Sequence, residues 1–165
     1  MKTKTSLLMD FSVDRENKKI SVKREFAAPL SKVWAAWTES ELLDQWWAPK
    51  PWRAQTKYMD FRVGGYWIYA MVGPDGTTQW SRADFKSINP LKSFSGLDAF
   101  CNENGIIDNS FPRSLWNNEF SETSDTTLVS IVITYDQVYD LEKYLDMGFK
   151  EGFTAALENL DELLS

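Results

Sequence analysis

Any chemistry this chain performs must be done without histidine, since the sequence contains none. That absence removes Ser-His-Asp and Cys-His catalysis, histidine-bearing zinc sites and an imidazole switch near neutral pH. The acids are scattered, so no metal site is expected. Gly64-Gly65 lacks the Gly-Lys-Ser/Thr surroundings of a phosphate loop. What the sequence holds in excess is aromatic surface, 15% of all residues with 8 Trp among them. Alternation places Trp67, Tyr69 and Met71 on one side of a strand. Trp47, Trp80, Trp116, Phe149 and Phe153 join them as candidates for the wall of a ligand pocket. An indole or phenol brings apolar area and one polar handle, which suits a pocket that must orient a ligand. Any one of these rings is more simply read as core filling. The whole set of tryptophans is harder to explain by packing alone.

The charged candidates are Asp44, Arg62, Arg82, Asp84, Asp98 and Arg113. A buried Asp against apolar walls has a raised pKa and can serve as a general acid. No spacing here brings two carboxylates together, because Asp84 and Asp98 fall on separate predicted strands. Surface charge is the simpler reading for most of them, and Arg82 with Asp84 reads as an ion pair on one strand face. Cys101, the single cysteine, excludes an internal disulfide and suits a reducing compartment. Beside Phe100 it reads as packing. No catalytic residue is assigned and no cofactor is expected.

Net charge of -6 argues against nucleic acid or an anionic membrane surface as the main partner. The basic Met1–Thr5 is followed by an apolar run that ends at Asp10, too short for an export signal. No run approaches the ~20 apolar residues of a membrane span. The expectation is a cytoplasmic protein whose residues 1–165 form one domain.

The elements that must position these residues read as follows. Leu7–Asp14 and Lys19–Phe26 alternate as strands, the first at a sheet edge that offers a surface to a second copy. Pro29 opens a short helix with Leu30, Val33, Trp34 and Trp37 on its apolar face. Thr38-Glu39-Ser40-Glu41 matches a capping box for a second short helix that ends before Pro49. Within it, Trp46 staples the helix to the sheet through its spacing to Leu42 and Leu43. Six further strands are predicted, at 52–60, 66–72, 77–88, 92–100, 114–123 and 126–135. Gly73-Pro74-Asp75-Gly76 is a hairpin turn, and 106–113 is a loop over one end of the sheet.

From Asp140 to Ser165 the apolar residues recur at steps of three and four, predicting one long amphipathic helix. It would span roughly 35–40 Å. Gly148 and Gly152 interrupt it, each at a cost of ~1 kcal/mol against alanine, so close approach or room for a bound molecule is expected there. The order of strands, two short helices, antiparallel strands and a long helix is an α+β architecture. A curled sheet gripping one helix leaves a wedge between them, where a ligand would go.

These elements resemble the helix-grip fold of START-like (SRPBCC) proteins. The residues resemble the bacterial family similar to the C-terminal domain of the activator of heat-shock-protein-90 ATPase. The stretches that carry the resemblance are Arg24-Glu25-Phe26-Ala27-Ala28-Pro29, Leu43-Asp44-Gln45-Trp46-Trp47-Ala48-Pro49, Met59 through Trp67, and Met147 through Phe153. Ala48 stands where the family usually has Gly, and Phe153 near where it usually has Trp; Gly105–Arg113 matches poorly. The resemblance implies a hydrophobic cavity between sheet and helix that takes a small hydrophobic or aromatic molecule. It also implies two alternatives. One is a cyclase or aromatase acting on a bound polyketide-like substrate. The other is a module that binds a heat-shock ATPase, weakened because the eukaryotic activator carries a separate N-terminal domain.

Overall fold

The computed structural model describes residues 7–165; the basic Met1–Thr5 stretch lies outside them. Eight strands form one antiparallel sheet: β1 (Met9–Asp14), β2 (Lys19–Phe26), β3 (Arg53–Met59), β4 (Tyr66–Val72), β5 (Thr78–Asn89), β6 (Ser93–Cys101), β7 (Ser114–Glu122) and β8 (Thr127–Thr134). Their spatial order is β1-β2-β8-β7-β6-β5-β4-β3. The last strand thus inserts beside the second, and β1 and β3 form the edges. Between β2 and β3 run α1 (Leu30–Thr38) and α2 (Ser40–Trp46), and the chain closes with α3 (Val138–Asp146) and α4 (Phe149–Leu164). This is the helix-grip arrangement expected from the order of elements.

Strict alternation on β8 buries Val129, Ile131 and Ile133 completely. They pair with Arg24, Val22 and Ile20 of β2, and the apolar members of this row meet Leu157 and Leu160 of α4 in one core. Arg24 is the charged exception on that face. Its guanidinium lies under α4 and meets Glu158 at 3.2 Å and Asp161 at 3.8 Å.

The C-terminal segment is two helices, a correction to the single long helix expected. α3 ends at Asp146 with Met147 as its cap, and Gly148 adopts φ +89° before α4 begins. The Gly148 N–H donates to the Leu145 carbonyl, closing α3, while the Gly148 carbonyl accepts from Gly152, opening α4. The apolar periodicity survives the break, which is why spacing alone did not reveal it. Positive φ disfavours a residue with a Cβ, so glycine is the residue best suited to this break.

The capping box does not form either. The Thr38 hydroxyl donates to the Trp34 carbonyl one turn back, and α2 has no side-chain cap. A threonine still inside α1 finds that carbonyl nearer than the free N–H groups of the next helix. Trp46 is fully buried, but it fastens α2 to α1 and not to the sheet: its indole donates to the Ala36 carbonyl at 2.8 Å and packs on Trp37. At the predicted hairpin turn, Gly76 donates to the Gly73 carbonyl and takes φ +88°.

Candidate functional site

Between the concave face of the sheet, α2 and the α3–α4 break lies a cavity of about 280 Å³. Trp47, Trp67, Tyr69, Met71, Trp116, Phe149 and Phe153 all line it. Trp80 does not. Ser81, Ala83 and Phe85 of the same strand face the cavity, so Trp80 points out the other side, where the Lys57 ammonium lies 5.8 Å from its ring centre. Parity along β5 settles it.

The rings form one connected set. Trp67 and Tyr69 stack at 4.0 Å between centres, and Phe149 stacks on Phe153 at 5.4 Å. Trp47 meets Trp67, Trp116 and Phe153 at 5.6–6.0 Å. Most of their polar handles are engaged within the protein. Trp47 donates to the Tyr69 hydroxyl at 2.9 Å, Trp67 to Thr56 at 3.0 Å and Trp116 to Asp98 at 3.1 Å. The aromatics therefore supply the walls and little of the hydrogen bonding.

Room for the cavity comes from small residues. Ala83 and Gly96 face it from neighbouring strands. A Cβ at Gly96 would meet nothing closer than 3.5 Å, so this position is empty by choice of residue and not by crowding. Among the lining side chains, Gln79 and Met147 are the exposed ones, so they mark the mouth.

The charged candidates divide clearly. Asp44 accepts from the Thr56 amide and hydroxyl, tying α2 to β3. Arg62 is exposed and pairs with Asp60. Arg82 and Arg113 both grip Asp84, at 2.6 and 2.5 Å, on the outer face of the sheet. Desolvation works upward on the Asp84 carboxyl, but hydrogen bonds and charge from the two arginines outweigh it and hold it below the ordinary value.

Asp98 alone of this group faces the cavity. Its Oδ1 accepts from the Ser114 amide at 2.9 Å and the Ser114 hydroxyl at 2.5 Å. Burial pushes its carboxyl up, opposed by the bonds from Ser114 and Trp116 and by the Arg113 charge. It retains some accessible surface, as a side chain bordering an open space must, while the atoms packed around it exclude bulk water. Burial, together with the nearby Asp98 charge, also raises Tyr135 and Tyr144, which close the same end. The Tyr144 hydroxyl donates to the Pro112 carbonyl at 2.9 Å, fastening the 102–113 loop over this end. Sequence reasoning named Asp98 but not Ser114, Tyr135 or Tyr144. Ser114 lies one alternation from Trp116 on β7, and Tyr135 one alternation beyond Ile133, so parity was the available signal. Cys101 is half-buried with its thiol pushed up by desolvation, unsuited to act as a nucleophile. Among the described residues no cluster of acids or cysteine could hold a metal.

A curled antiparallel sheet, an α-helix across its concave face and an aromatic-walled cavity between them define a helix-grip pocket protein. The chain belongs to the family of Activator of Hsp90 ATPase homolog 1-like proteins, whose model matches residues 27–165. Among solved structures it is similar to protein Ms6760 from Mycobacterium smegmatis, with 30% identity, 96% of this chain and 97% of that one covered, and a TM-score of 0.88. It is also similar to a protein from Arthrobacter aurescens, with 29% identity, 94% and 90% covered, and a TM-score of 0.89. CalU16 from Micromonospora echinospora shares the fold at 18% identity, with 97% and 87% covered and a TM-score of 0.63. No curated protein sequence matches the chain. No described helix is long and apolar enough to cross a membrane.

Proposed function

We propose that this protein binds a small, largely apolar, aromatic molecule in the cavity between sheet and α4. The observation that carries this reading is the cavity itself, about 280 Å³ and walled by Trp47, Trp67, Trp116, Phe149 and Phe153. Ligand pockets run from ~300 Å³ upward, so its size suits a compact molecule of one to three rings. A core built only for stability would close over such a space, since unfilled volume costs roughly 24 cal/mol per Å³. The reading takes residues 1–165 as one cytoplasmic domain working without a cofactor.

Native mass spectrometry of protein purified from its own host tests it, with Gly96→Leu as the control. The leucine Cβ fits beside Asp84 and Phe85 at 3.5–3.8 Å, and the rest of the side chain enters the cavity. The expected result is extra mass that disappears on denaturation and is absent from the Gly96→Leu protein. Equal extra mass in both would place the ligand elsewhere and defeat the reading.

A second reading, an enzyme of the cyclase or aromatase type, is favoured by one observation, the raised Asp98 carboxyl inside the cavity. It predicts that Asp98→Asn abolishes turnover of a bound substrate with little loss of affinity. Binding to a heat-shock ATPase and pairing of two copies through the β1 edge rest on the family and on an open edge alone. A pull-down with an ATPase-turnover assay tests the first, and light scattering the second.

A further inference from the structure

We propose that the Asp98 end of the cavity is a hydroxyl-recognition subsite, which makes the ligand class compact phenols and aromatic alcohols. This inference rests on the pocket reading above and specifies it. Strand register assembles the subsite. Asp98 on β6 lies directly opposite Ser114 on β7, and the β7–β8 ladder, which pairs Leu115 with Thr134, carries on to set Ser114 beside Tyr135. One row across three strands thus brings carboxylate, serine and phenol to one end of the concave face.

The free valences of that row define the ligand group. Asp98 Oδ1 is filled by the amide and hydroxyl of Ser114. Oδ2 accepts only from Trp116 among the described residues, and a carboxylate oxygen has room for a second donor. Tyr135 is 4% exposed and lines the cavity, yet its hydroxyl has no hydrogen-bond partner among the described residues. Buried polar groups are ordinarily paired, so an unpaired phenol at a cavity wall points to a partner that comes from within the cavity.

An acceptor at Oδ2 and a donor at Tyr135 together match a group that donates once and accepts once, which is a hydroxyl. A hydrocarbon would leave both unpaired. A carboxylate ligand would face Asp98 with no lysine or arginine in the lining to offset the repulsion. A protonated amine could donate to Asp98 but offers nothing for the Tyr135 proton. The rest of the wall takes the rings, with the Trp67–Tyr69 stack on one side and Phe149–Phe153 on the other.

Titration calorimetry at neutral pH with four matched probes tests this: 2-naphthol, naphthalene, 2-naphthoic acid and the cationic 2-(aminomethyl)naphthalene. In the wild-type protein 2-naphthol is expected to bind about tenfold more tightly than naphthalene, the worth of a net hydrogen bond or two. The acid is expected to bind most weakly. Tyr135→Phe, which keeps the ring and loses only the hydroxyl, should erase the preference for the naphthol and leave naphthalene affinity unchanged. Asp98→Asn should reduce the same preference. Equal affinity of naphthol and naphthalene in the wild type, a preference for the amine, or a naphthol preference that survives Tyr135→Phe would overturn the subsite while leaving the pocket standing. Failure of all four probes to bind would overturn pocket and subsite together.

Discussion

Gly148 and Gly152 are four residues apart at the start of α4, and replacing each by alanine should move stability in opposite directions. Gly148 holds φ +89°, and a Cβ there would touch nothing within 4 Å. The substitution therefore adds no clash and no contact, only the left-handed conformation, which costs about 1–2 kcal/mol for an L-residue. Reduced freedom of the unfolded chain returns part of that, so a net loss of about 1 kcal/mol is expected. Gly152 is ordinary helix interior, and its added Cβ would meet only the Pro49 ring, at 3.8 Å. There alanine should gain about 1 kcal/mol through helix propensity. The two variants should thus differ by about 2 kcal/mol, or roughly 4–8 °C in thermal midpoint for a chain of this size. Urea denaturation followed by tryptophan fluorescence measures this, with equal m-values confirming that compactness is unchanged. A Gly148→Ala protein as stable as wild type would refute the assignment of the helix break to backbone conformation.

Other expectations follow from the carboxylates and the sheet. Because Asp98 is raised in the folded protein, the fold binds its proton more tightly than the unfolded chain does. Its contribution to stability therefore falls as pH rises above about 4, and Asp98→Asn should gain on wild type across that rise in a series of urea midpoints. A pH-independent difference would contradict this. Asp84 has the opposite sign: held low by Arg82 and Arg113, it stabilises above its ordinary value and loses that stabilisation as pH falls through its depressed one. Asp84→Asn should cost about 1.5–3 kcal/mol at neutral pH, with the deficit shrinking in acid. Gly65→Ala should cost at least about 1–3 kcal/mol in thermal melts, because its Cβ would lie 2.2 Å from the Asp60 carbonyl oxygen.

Much of this fold was legible because its strands alternate cleanly and its turns carry glycine or proline where they are needed. Alternation put Trp67, Tyr69 and Met71 on one side of their strand, but the inner assignment rested on the glycine-rich entry alone, because Ile68 and Ala70 between them are apolar and buried too. Trp80 was misjudged because a half-buried indole under a lysine looks, in sequence, like a lining one; only its parity against Ser81, Ala83 and Phe85 distinguishes them. The helix break was hidden because period and conformation are independent: residues on either side of Gly148 keep the apolar face while the glycine changes φ. The polar end of the cavity was the least legible part. Asp98 and Ser114 come from two strands and Tyr135 from just past the end of a third, and a carboxylate's environment depends on which residues the ladders set beside it, a long-range property that local spacing does not encode.

The seam at Gly148 also governs how a bound molecule would come and go. Under one unbroken helix, a ligand inside a curled sheet would leave only when strands part or the whole helix lifts. Here the helical ladder is already interrupted, and exposed Met147 sits at the rim. Fraying the first turn of α4 gives up the Gly152–Gly148 hydrogen bond and the Phe149–Phe153 stack, while α3 stays fastened by Tyr144 to Pro112. Exchange then becomes a local opening, whose free energy lies well below that of global unfolding. The residence time of a bound molecule would then follow this local opening and not global unfolding, so a long-lived fold could carry a short-lived complex.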